Sequence, residues 1–210
     1  LEAADFHAKR ERFAKENEGN PVKRGMGLAA FFHGSGFTGG GEKKMASIAG
    51  VEGTAEGKVS VLAASTEIGQ GAKTIFSQIV ADALELPYDM IEVARPDTHD
   101  VPNSGPTVAS RTCMVVGKLV QTAALALKQS LVQEMGLEET YTAEEFAEAI
   151  KGYVKEHGKL RRYAQYEQPA NIDWSDETYV GDAYGAYGWA IYVADVSFDT
   201  RTYEARVHDF

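Results

Sequence analysis

Two polar loops in the middle of the chain hold the residues best suited to binding an anion. The first loop reads Ser-Thr-Glu-Ile-Gly-Gln-Gly over residues 65–71, and the second loop reads Val-Pro-Asn-Ser-Gly-Pro-Thr-Val-Ala-Ser-Arg-Thr over residues 101–112. Each lies between a strand-like and a helix-like segment, where free backbone N–H groups and the positive end of a helix dipole can receive a phosphate. Two such loops predict one large phosphate-bearing ligand that is held at two points.

Each loop taken alone also has a simpler interpretation. Glycine suits a tight turn and Ser or Thr suits a helix N-cap, so ordinary capping accounts for either loop in isolation. The first loop is neither a dinucleotide-binding fingerprint nor a Walker A loop, because it lacks a third spaced Gly and a Gly-Lys-Ser/Thr ending. Arg111 in the second loop would pair with a phosphate if it faces the loop, and would be an ordinary surface arginine if it faces outward.

Hydrophobic patterning predicts the elements that position these loops. Alternating apolar and polar residues over 46–52 and 58–64 predict a β-hairpin that leads into the first loop. Helical spacing over residues 73–86 predicts a helix after that loop, and residues 90–93 predict a returning strand. A long helix is expected after the second loop, with the hydroxyls of that loop near its start.

Further elements flank this core. Residues 3–18 predict a helix with a solvated basic cluster, and a capping-box pattern predicts another helix from residue 142 to about residue 158. Residues 188–198 and 203–210 predict two strands around a polar turn. The glycine-rich loop (residues 33–41) cannot build a core. Together these patterns predict an α+β fold of mixed β-sheets with helices packed on one face.

Composition restricts the partners that this chain can have. The formal net charge of −10 over 210 residues argues against nucleic acid or an anionic membrane as a partner. No apolar run approaches the roughly 20 residues that span a bilayer, and no signal peptide opens the chain, so we expect a cytoplasmic location. The one cysteine, Cys113, excludes an internal disulfide and an iron–sulfur cluster held by this chain alone, and its apolar neighbours predict a buried, inert thiol.

The titratable side chains do not form a recognisable catalytic set. The 5 histidines are scattered, and the sequence contains neither a His-x-x-x-His metal pair nor a close carboxylate dyad. Direct ligation of a catalytic metal by protein side chains is therefore not expected.

The two loops and the residues between them resemble the molybdenum-binding subunit of the xanthine dehydrogenase and aldehyde oxidase family. The resemblance rests on Glu67-Ile68-Gly69-Gln70-Gly71, Gln78-Ile79, Ala81-Asp82, Asp97-Thr98 and residues 101–110, with landmarks from Arg24 to about Asp209. It implies that molybdenum is held by the dithiolene sulfurs of an organic pterin, while the protein grips the pterin and its phosphate or nucleotide tail.

The resemblance also implies which residues contact the cofactor and the substrate. The cofactor-contacting residues would be Ile68, Gly69, Gln70, Gly71, Thr107, Val108, Ala109, Ser110 and Thr112. The Gln70 amide supplies both a donor and an acceptor, and the second loop would present backbone N–H groups and hydroxyls to the pterin and its phosphates. Phe37 would stack over a flat substrate ring, with Thr38 beside it.

The implied reaction is hydroxylation of an aldehyde or an electron-poor N-heterocycle by a molybdenum oxidoreductase. The cofactor would be molybdopterin or its cytosine dinucleotide form, and electrons would leave through 2Fe–2S clusters to FAD on partner chains or domains. The implied partners are the remaining molybdenum-domain segments and the iron–sulfur and FAD subunits, in an oligomer that acts on a small molecule.

Some parts of the family pattern are missing from this chain. The family's Gly-Gly-x-Phe-Gly pterin loop, which lies upstream of the region represented here, is absent, and so is the Gly-x-Gly-Glu stretch near the family's carboxyl end that carries the general base, so no catalytic residue is assigned. The chain is interpreted as a fragment, a subunit of a split enzyme or a truncated non-catalytic relative, and alone it is expected to be inactive. Two alternatives are a non-enzymatic scaffold and a nucleotide-phosphate binding module unrelated to molybdenum.

Within a molybdopterin-binding domain we divide the chain into four parts. These are an N-terminal helix (residues 1–22), a core with the cofactor loops (23–135), a variable helical insertion (136–186) and closing strands (187–210).

Overall fold

The computed structural model describes residues 1–210, which form two units of mixed helix and strand. The larger unit is Gly34–Ala186, and the smaller unit combines Leu1–His33 with Tyr187–Phe210. In chain order the elements are α1 (Phe6–Glu16), β1 (Val22–Ser35), α2 (Gly41–Met45), β2 (Ile48–Gly53), β3 (Val59–Leu62), α3 (Ala72–Leu84), β4 (Ile91–Val93), α4 (Gly117–Met135), α5 (Ala143–His157), β5 (Leu160–Gln165), β6 (Trp174–Ser175), β7 (Val180–Gly181), β8 (Ala186–Asp199) and β9 (Ala205–Asp209). A π-helical turn at Thr112–Val116 leads directly into α4.

A four-stranded sheet in the order β4-β3-β2-β5 forms the centre of the larger unit. Strands β2 and β3 form the predicted antiparallel hairpin, and β5 pairs antiparallel with β2 on its other side. Strand β4 runs parallel to β3, which requires a crossover connection, and α3 provides it. The sheet is therefore mixed, as the sequence predicts.

The core of this unit lies on one face of the sheet, under helices α3, α4 and α5. Alternate strand residues such as Val51, Val59 and Val61 point into it and are fully buried. The helices contribute Phe76, Leu127, Phe146 and Ile150 among others. The predicted α+β class with helices packed on one face is confirmed.

Helix α5 and strand β5 lie in the segment that the sequence analysis assigned to a variable insertion. The predicted capping box is present, since Thr142 Oγ1 accepts from Glu145 N and the Glu145 carboxylate accepts from Thr142 N. Both elements contribute to the common core, because Ile150 of α5 and Leu160 of β5 are fully buried. Residues 143–165 are therefore built into the central sheet and its helical layer.

The smaller unit contains a three-stranded sheet in the order β1-β8-β9. Helix α1 buries Phe6 and Phe13, and the Arg24 guanidinium lies over the Phe13 ring while pairing with Asp195 at 2.6 Å. In the predicted basic cluster of α1, Lys9 lies 3.8 Å from Asp195, whereas the other basic residues are exposed. The two predicted closing strands are confirmed as β8 and β9.

Three features differ from the sequence prediction. Strand β1 extends to Ser35 and helix α2 begins at Gly41, so regular structure enters both ends of the glycine-rich loop. Cys113 is exposed, so the prediction of a buried thiol is wrong. The reason is that the π-helical turn directs Val115 and Val116 into the core and leaves Cys113 on the outside.

None of the helices combines the length and the apolar character that crossing a membrane requires.

Candidate functional site

The two predicted anion loops are in direct contact in the larger unit. Thr66 N of the first loop donates to Thr107 Oγ1 of the second loop at 2.8 Å. The glycine-rich loop joins them, because Gly36 N donates to Ala109 O at 2.8 Å. Three segments that are far apart in the sequence therefore meet around residues 107–109.

The first loop carries its own anion at the start of helix α3. The Glu67 carboxylate accepts from Gly69 N at 2.8 Å, from Gly71 N at 3.1 Å and from Lys73 N at 3.1 Å. The N–H groups of Lys73, Gly71 and Gly69 stabilise the carboxylate and hold the pKa of Glu67 below its usual value. The expectation that these helix N–H groups are free to receive a phosphate is wrong for the first loop, because Glu67 already occupies them.

Gln70 and Ile68 retain surface that a ligand could use. Gln70 Oε1 accepts from Ile68 N at 2.7 Å, and Gln70 Nε2 donates to Thr66 O at 2.7 Å. A primary amide has a second N–H and a second lone pair, so each end of Gln70 can still make one hydrogen bond. The Ile68 side chain is 78% exposed. This loop therefore offers an oriented amide and an apolar side chain, together with a negative charge.

The second loop has an unusual backbone at Ala109 and Ser110. Their φ angles are 56° and 54°, although neither residue is glycine. Left-handed conformations of this kind cost roughly 1–2 kcal/mol per residue and persist only where the surrounding structure imposes them. Arg111 returns to the right-handed region with φ −94°. Successive residues of opposite hand can turn their N–H groups toward one point, which is the geometry of an anion-binding nest.

The exposed side of the second loop lies at the start of the helix that continues into α4. Val108 is 52% exposed, Ser110 is exposed, and Thr112 begins the π-helical turn. The first turn of a helix leaves N–H groups without intrahelical partners, and the helix dipole favours an anion there. The second loop therefore keeps the features that predicted an anion site.

Arg111 follows neither of the two alternatives drawn from the sequence. Its side chain is 1% exposed, so it is not a surface arginine. It forms a bidentate pair with Glu42, with Nε at 2.9 Å from Oε1 and Nη2 at 2.9 Å from Oε2. It also donates to Ser47 Oγ and to the carbonyls of Ser104 and Pro106. A guanidinium has five N–H donors, and these contacts use all of them, so Arg111 has none left for a phosphate.

Phe37, the predicted substrate-stacking residue, lines a cavity of about 760 Å³ in the larger unit. The cavity wall also contains Tyr163, Tyr166 and Tyr184, with charged groups at Lys118, Glu167 and Asp182. Thr38 is exposed and donates to Tyr184 Oη at 2.8 Å, but it is not part of the wall. None of the predicted cofactor-contacting residues lines this cavity, so it is distinct from the contact between the two loops.

The side chains of this chain do not assemble a protein ligand set for a metal. No group of three or more His, Cys, Asp or Glu residues lies close enough together to hold an ion.

Sequence reasoning missed the roles of Glu67 and Glu42. Glu67 lies four residues before Gly71, the N-cap of α3, whereas the glutamate of a capping box follows the N-cap, so no standard capping pattern marks Glu67. Glu42 precedes Lys43 and Lys44 and is indistinguishable in sequence from a solvated acid. Only the fold reveals that it is 5% exposed and paired with a residue 69 positions away.

Comparison with known proteins gives one consistent result. All of residues 1–210 match the model of the molybdopterin cofactor-binding domain. Xanthine dehydrogenase/oxidase of Felis catus is 26% identical over 208 residues, which is 96% of this chain and 15% of that protein. The xanthine dehydrogenase molybdenum-binding subunit of Escherichia coli is 32% identical over 130 residues, which is 60% of this chain and 17% of that protein.

A solved structure gives the same picture of the fold. Aldehyde oxidoreductase from Desulfovibrio gigas aligns with a TM-score of 0.76 and 25% identity over 98% of this chain and 21% of that chain. The chain thus spans only 15% to 21% of the length of these proteins.

Proposed function

Because the chain belongs to the molybdopterin cofactor-binding domain family of xanthine dehydrogenase and aldehyde oxidoreductase, we propose that it forms part of the cofactor site of a molybdenum hydroxylase. The observation that carries this proposal is the hydrogen bond between Thr66 N and Thr107 Oγ1. It joins the two loops, so one ligand can touch both. The substrate would be an aldehyde or an N-heterocycle, with Phe37 stacking on its ring and Thr38 beside it.

The charges of the two loops favour one orientation of the cofactor. The Glu67 carboxylate caps α3, so it would repel a phosphate at the first loop. The second loop has its left-handed residues at Ala109 and Ser110, an exposed serine at Ser110 and the start of a helix. The residues present therefore fit a ligand with an uncharged, hydrogen-bonding ring at Ile68, Gly69, Gln70 and Gly71. Its anionic tail would lie at Thr107, Val108, Ala109, Ser110 and Thr112.

The protein residues would bind and orient rather than react. When bound, the molybdenum–pterin group supplies the redox chemistry of hydroxylation. Gln70 would use its remaining N–H and lone pair to fix the ring, because its other two hydrogen bonds hold the amide in place. No carboxylate of this chain is assigned as general base, and we propose that this residue comes from another segment of the enzyme.

The rest of the enzyme would supply what this chain lacks. The lone Cys113 cannot hold a 2Fe–2S cluster, which needs four protein ligands, so the clusters and FAD would lie on other domains or subunits. The cofactor would be molybdopterin or its cytosine dinucleotide form. The 210-residue chain by itself is expected to be inactive, because it would make only part of the contacts to cofactor and substrate.

The proposal is tested on the full-length protein or complex in which this chain occurs naturally. Molybdenum and pterin are quantified after purification, for the wild type and for the variants Ser110→Ala and Thr112→Val. Loss of a hydrogen bond to a charged group costs about 1.5–3 kcal/mol, so cofactor affinity should fall roughly tenfold to a hundredfold in each variant.

Thr140→Val is the matched control, because Thr140 is exposed and lies outside the two loops. It should leave the molybdenum content unchanged. A native complex without molybdenum would contradict the proposal and favour a scaffold, and binding of free nucleotides in its place would favour a nucleotide-phosphate module. Hydroxylase activity in the isolated 210-residue chain would contradict the expectation that this chain makes only part of the contacts to cofactor and substrate.

A further inference from the structure

The buried ion pair of Glu42 and Arg111 joins the glycine-rich loop to the second loop. The two side chains are 6% and 1% exposed, and they meet through two parallel hydrogen bonds of 2.9 Å. A bidentate arginine–carboxylate pair fixes orientation as well as distance. The pair therefore acts as a rigid link between the segments that carry its two ends.

At one end of the link, Glu42 holds the backbone of Phe37. Phe37 N donates to Glu42 Oε1 at 3.1 Å, across the turn that precedes helix α2. Gly36 allows this close approach, because it has φ +94° and a Cβ there would lie 3.3 Å from Glu42 Oε1. The carboxylate thus positions the residue whose ring lines the cavity.

At the other end, Arg111 holds the backbone of the second loop. Arg111 Nη1 donates to Ser104 O at 2.7 Å and to Pro106 O at 3.2 Å. Gly105 between them has φ +75°, and a Cβ there would lie 3.0 Å from Arg111 Nη1 and 2.8 Å from Ser47 Oγ. The second loop is therefore wrapped around the guanidinium, immediately next to the left-handed residues Ala109 and Ser110.

The link is also tied to the central sheet. Arg111 Nη2 donates to Ser47 Oγ at 2.7 Å, next to the start of β2. Ser104 Oγ donates to Ile48 O and accepts from Ala64 N, both at 2.9 Å. The hydrogen bond from Gly36 N to Ala109 O connects the glycine-rich loop to the second loop a second time.

We propose that Glu42 and Arg111 are positioning residues that set the place of Phe37 relative to the second loop. The consequence for substrate binding rests on the proposed function, in which Phe37 contacts substrate and the second loop contacts the cofactor. Stability alone does not explain such a pair, since well-packed apolar residues often replace a buried ion pair without loss of stability. The distinctive property of this pair is that it binds two backbone segments at once, at Phe37 and at Ser104–Pro106.

The test compares the full-length protein with the variants Arg111→Met, Arg111→Lys and the double variant Arg111→Met/Glu42→Leu. Hydrogen exchange is followed in peptides that cover residues 34–41 and 101–112, alongside thermal melting. Arg111→Met should speed exchange at least tenfold in both peptides together. The double variant should recover most of the melting temperature, because no unpaired charge remains buried, while both peptides keep their fast exchange.

The control is the double variant Arg161→Met/Glu52→Leu, which removes a partly buried 2.8 Å pair between β5 and β2. It should leave exchange in both peptides unchanged. If the Arg111→Met/Glu42→Leu protein regains slow exchange together with its melting temperature, the pair serves stability only and the proposal is overturned. If that protein does not fold, the Arg111→Lys variant provides the test. We expect faster exchange in both peptides of this variant, and faster exchange in only one of them would overturn the proposal.

Kinetics with a hydroxylase substrate separate this inference from the proposed function. In the double variant we expect KM to rise at least tenfold in the fraction of the protein that retains molybdenum. An unchanged KM would overturn the positioning role and leave the proposed function intact. A wild-type protein without molybdenum would contradict the proposed function, and the exchange experiment would still decide whether the pair couples the glycine-rich loop to the second loop.

Discussion

The first and second loops look alike in sequence but differ in how their helix entrances are filled. In the first loop, the Glu67 carboxylate binds the N–H groups at the start of α3. In the second loop, the charged residue is Arg111, which turns into the core and holds the loop from behind. One loop is closed by an internal anion, whereas the other has no acidic residue at its helix entrance and exposes Val108 and Ser110.

This difference shows that a loop at a helix N-terminus is not in itself an anion site. The same N–H groups and helix dipole serve an external phosphate or an internal carboxylate, and the nearest acidic side chain decides between them. Here the entrance filled by Glu67 lies beside the entrance that we propose for an external anion, and the Thr66–Thr107 hydrogen bond joins them. The arrangement is suited to a ligand with an uncharged end and an anionic end.

The largest effect is expected from removing the support behind the second loop. Arg111→Met leaves the Glu42 carboxylate buried without a partner, which typically costs about 3–5 kcal/mol. Urea denaturation of the full-length protein should show this loss in the free energy of unfolding. Arg95→Met is the control at an exposed arginine, with an expected change of no more than about 0.5 kcal/mol. A loss below about 1 kcal/mol for Arg111→Met would mean that the pair does not support the loop.

A smaller loss is expected when the second loop can no longer wrap around Arg111. Gly105→Ala places a Cβ 2.8 Å from Ser47 Oγ and forces alanine into a left-handed conformation at φ +75°. The expected cost is about 1–3 kcal/mol in the same denaturation experiment. Gly27→Ala is the matched control, because a Cβ there would meet nothing within 4 Å. Equal stability of the two variants would argue against tight packing of Gly105 against Ser47 and Arg111.

Removing Glu67 should make the first loop resemble the second. Glu67→Ala frees the N–H groups of Gly69, Gly71 and Lys73, so inorganic phosphate should bind at the start of α3. Hydrogen exchange in a peptide over residues 67–75 should slow at least threefold with phosphate in the variant and remain unchanged in the wild type. Glu85→Ala, at the other end of α3, is the control. Phosphate protection in the wild type would contradict the closed state of this loop.

The smallest expected effect is a pH dependence of the free energy of unfolding that arises from the Glu67 carboxylate. Because its pKa is lowered in the folded protein, the carboxylate stabilises the fold above its unfolded pKa of about 4.3, and this contribution is lost as pH falls through the lower folded value. The difference in free energy of unfolding between wild type and Glu67→Gln should therefore be largest above about pH 5 and shrink in acid. If the difference in free energy of unfolding grows on acidification, the Glu67 carboxylate does not cap α3 as described.

Local patterns in the sequence were sufficient to predict most of the fold. The hairpin of β2 and β3 follows from alternating residues around a turn, and the start of α5 follows from the Thr142–Glu145 capping box. Each of these features depends on residues that lie at most 12 positions apart in the sequence. The mixed sheet and its helical layer then follow from how few ways such elements can pack.

The site was harder to predict for two reasons. Its key contacts join residues that are far apart in the sequence, and the helix after the second loop begins with a π-helical turn. Arg111 and Glu42 lie 69 residues apart, and no local pattern distinguishes them from surface charges. Cys113 was expected to be buried because its neighbours on the helix are apolar, whereas the π-helical turn changes which side chains point inward. Family resemblance identified the candidate ligand. Only the fold showed that Glu67 fills the helix entrance of the first loop, whereas Arg111 lies buried behind the second loop.

The most direct test of the central claim is a cryo-electron microscopy structure of the native, molybdenum-containing protein that includes this chain. The anionic tail of the pterin is expected within hydrogen-bonding distance of the backbone or hydroxyls of Thr107, Ser110 or Thr112, with the ring beside Gln70. Density for the tail at the start of α3, or a cofactor that touches only one of the two loops, would contradict the account.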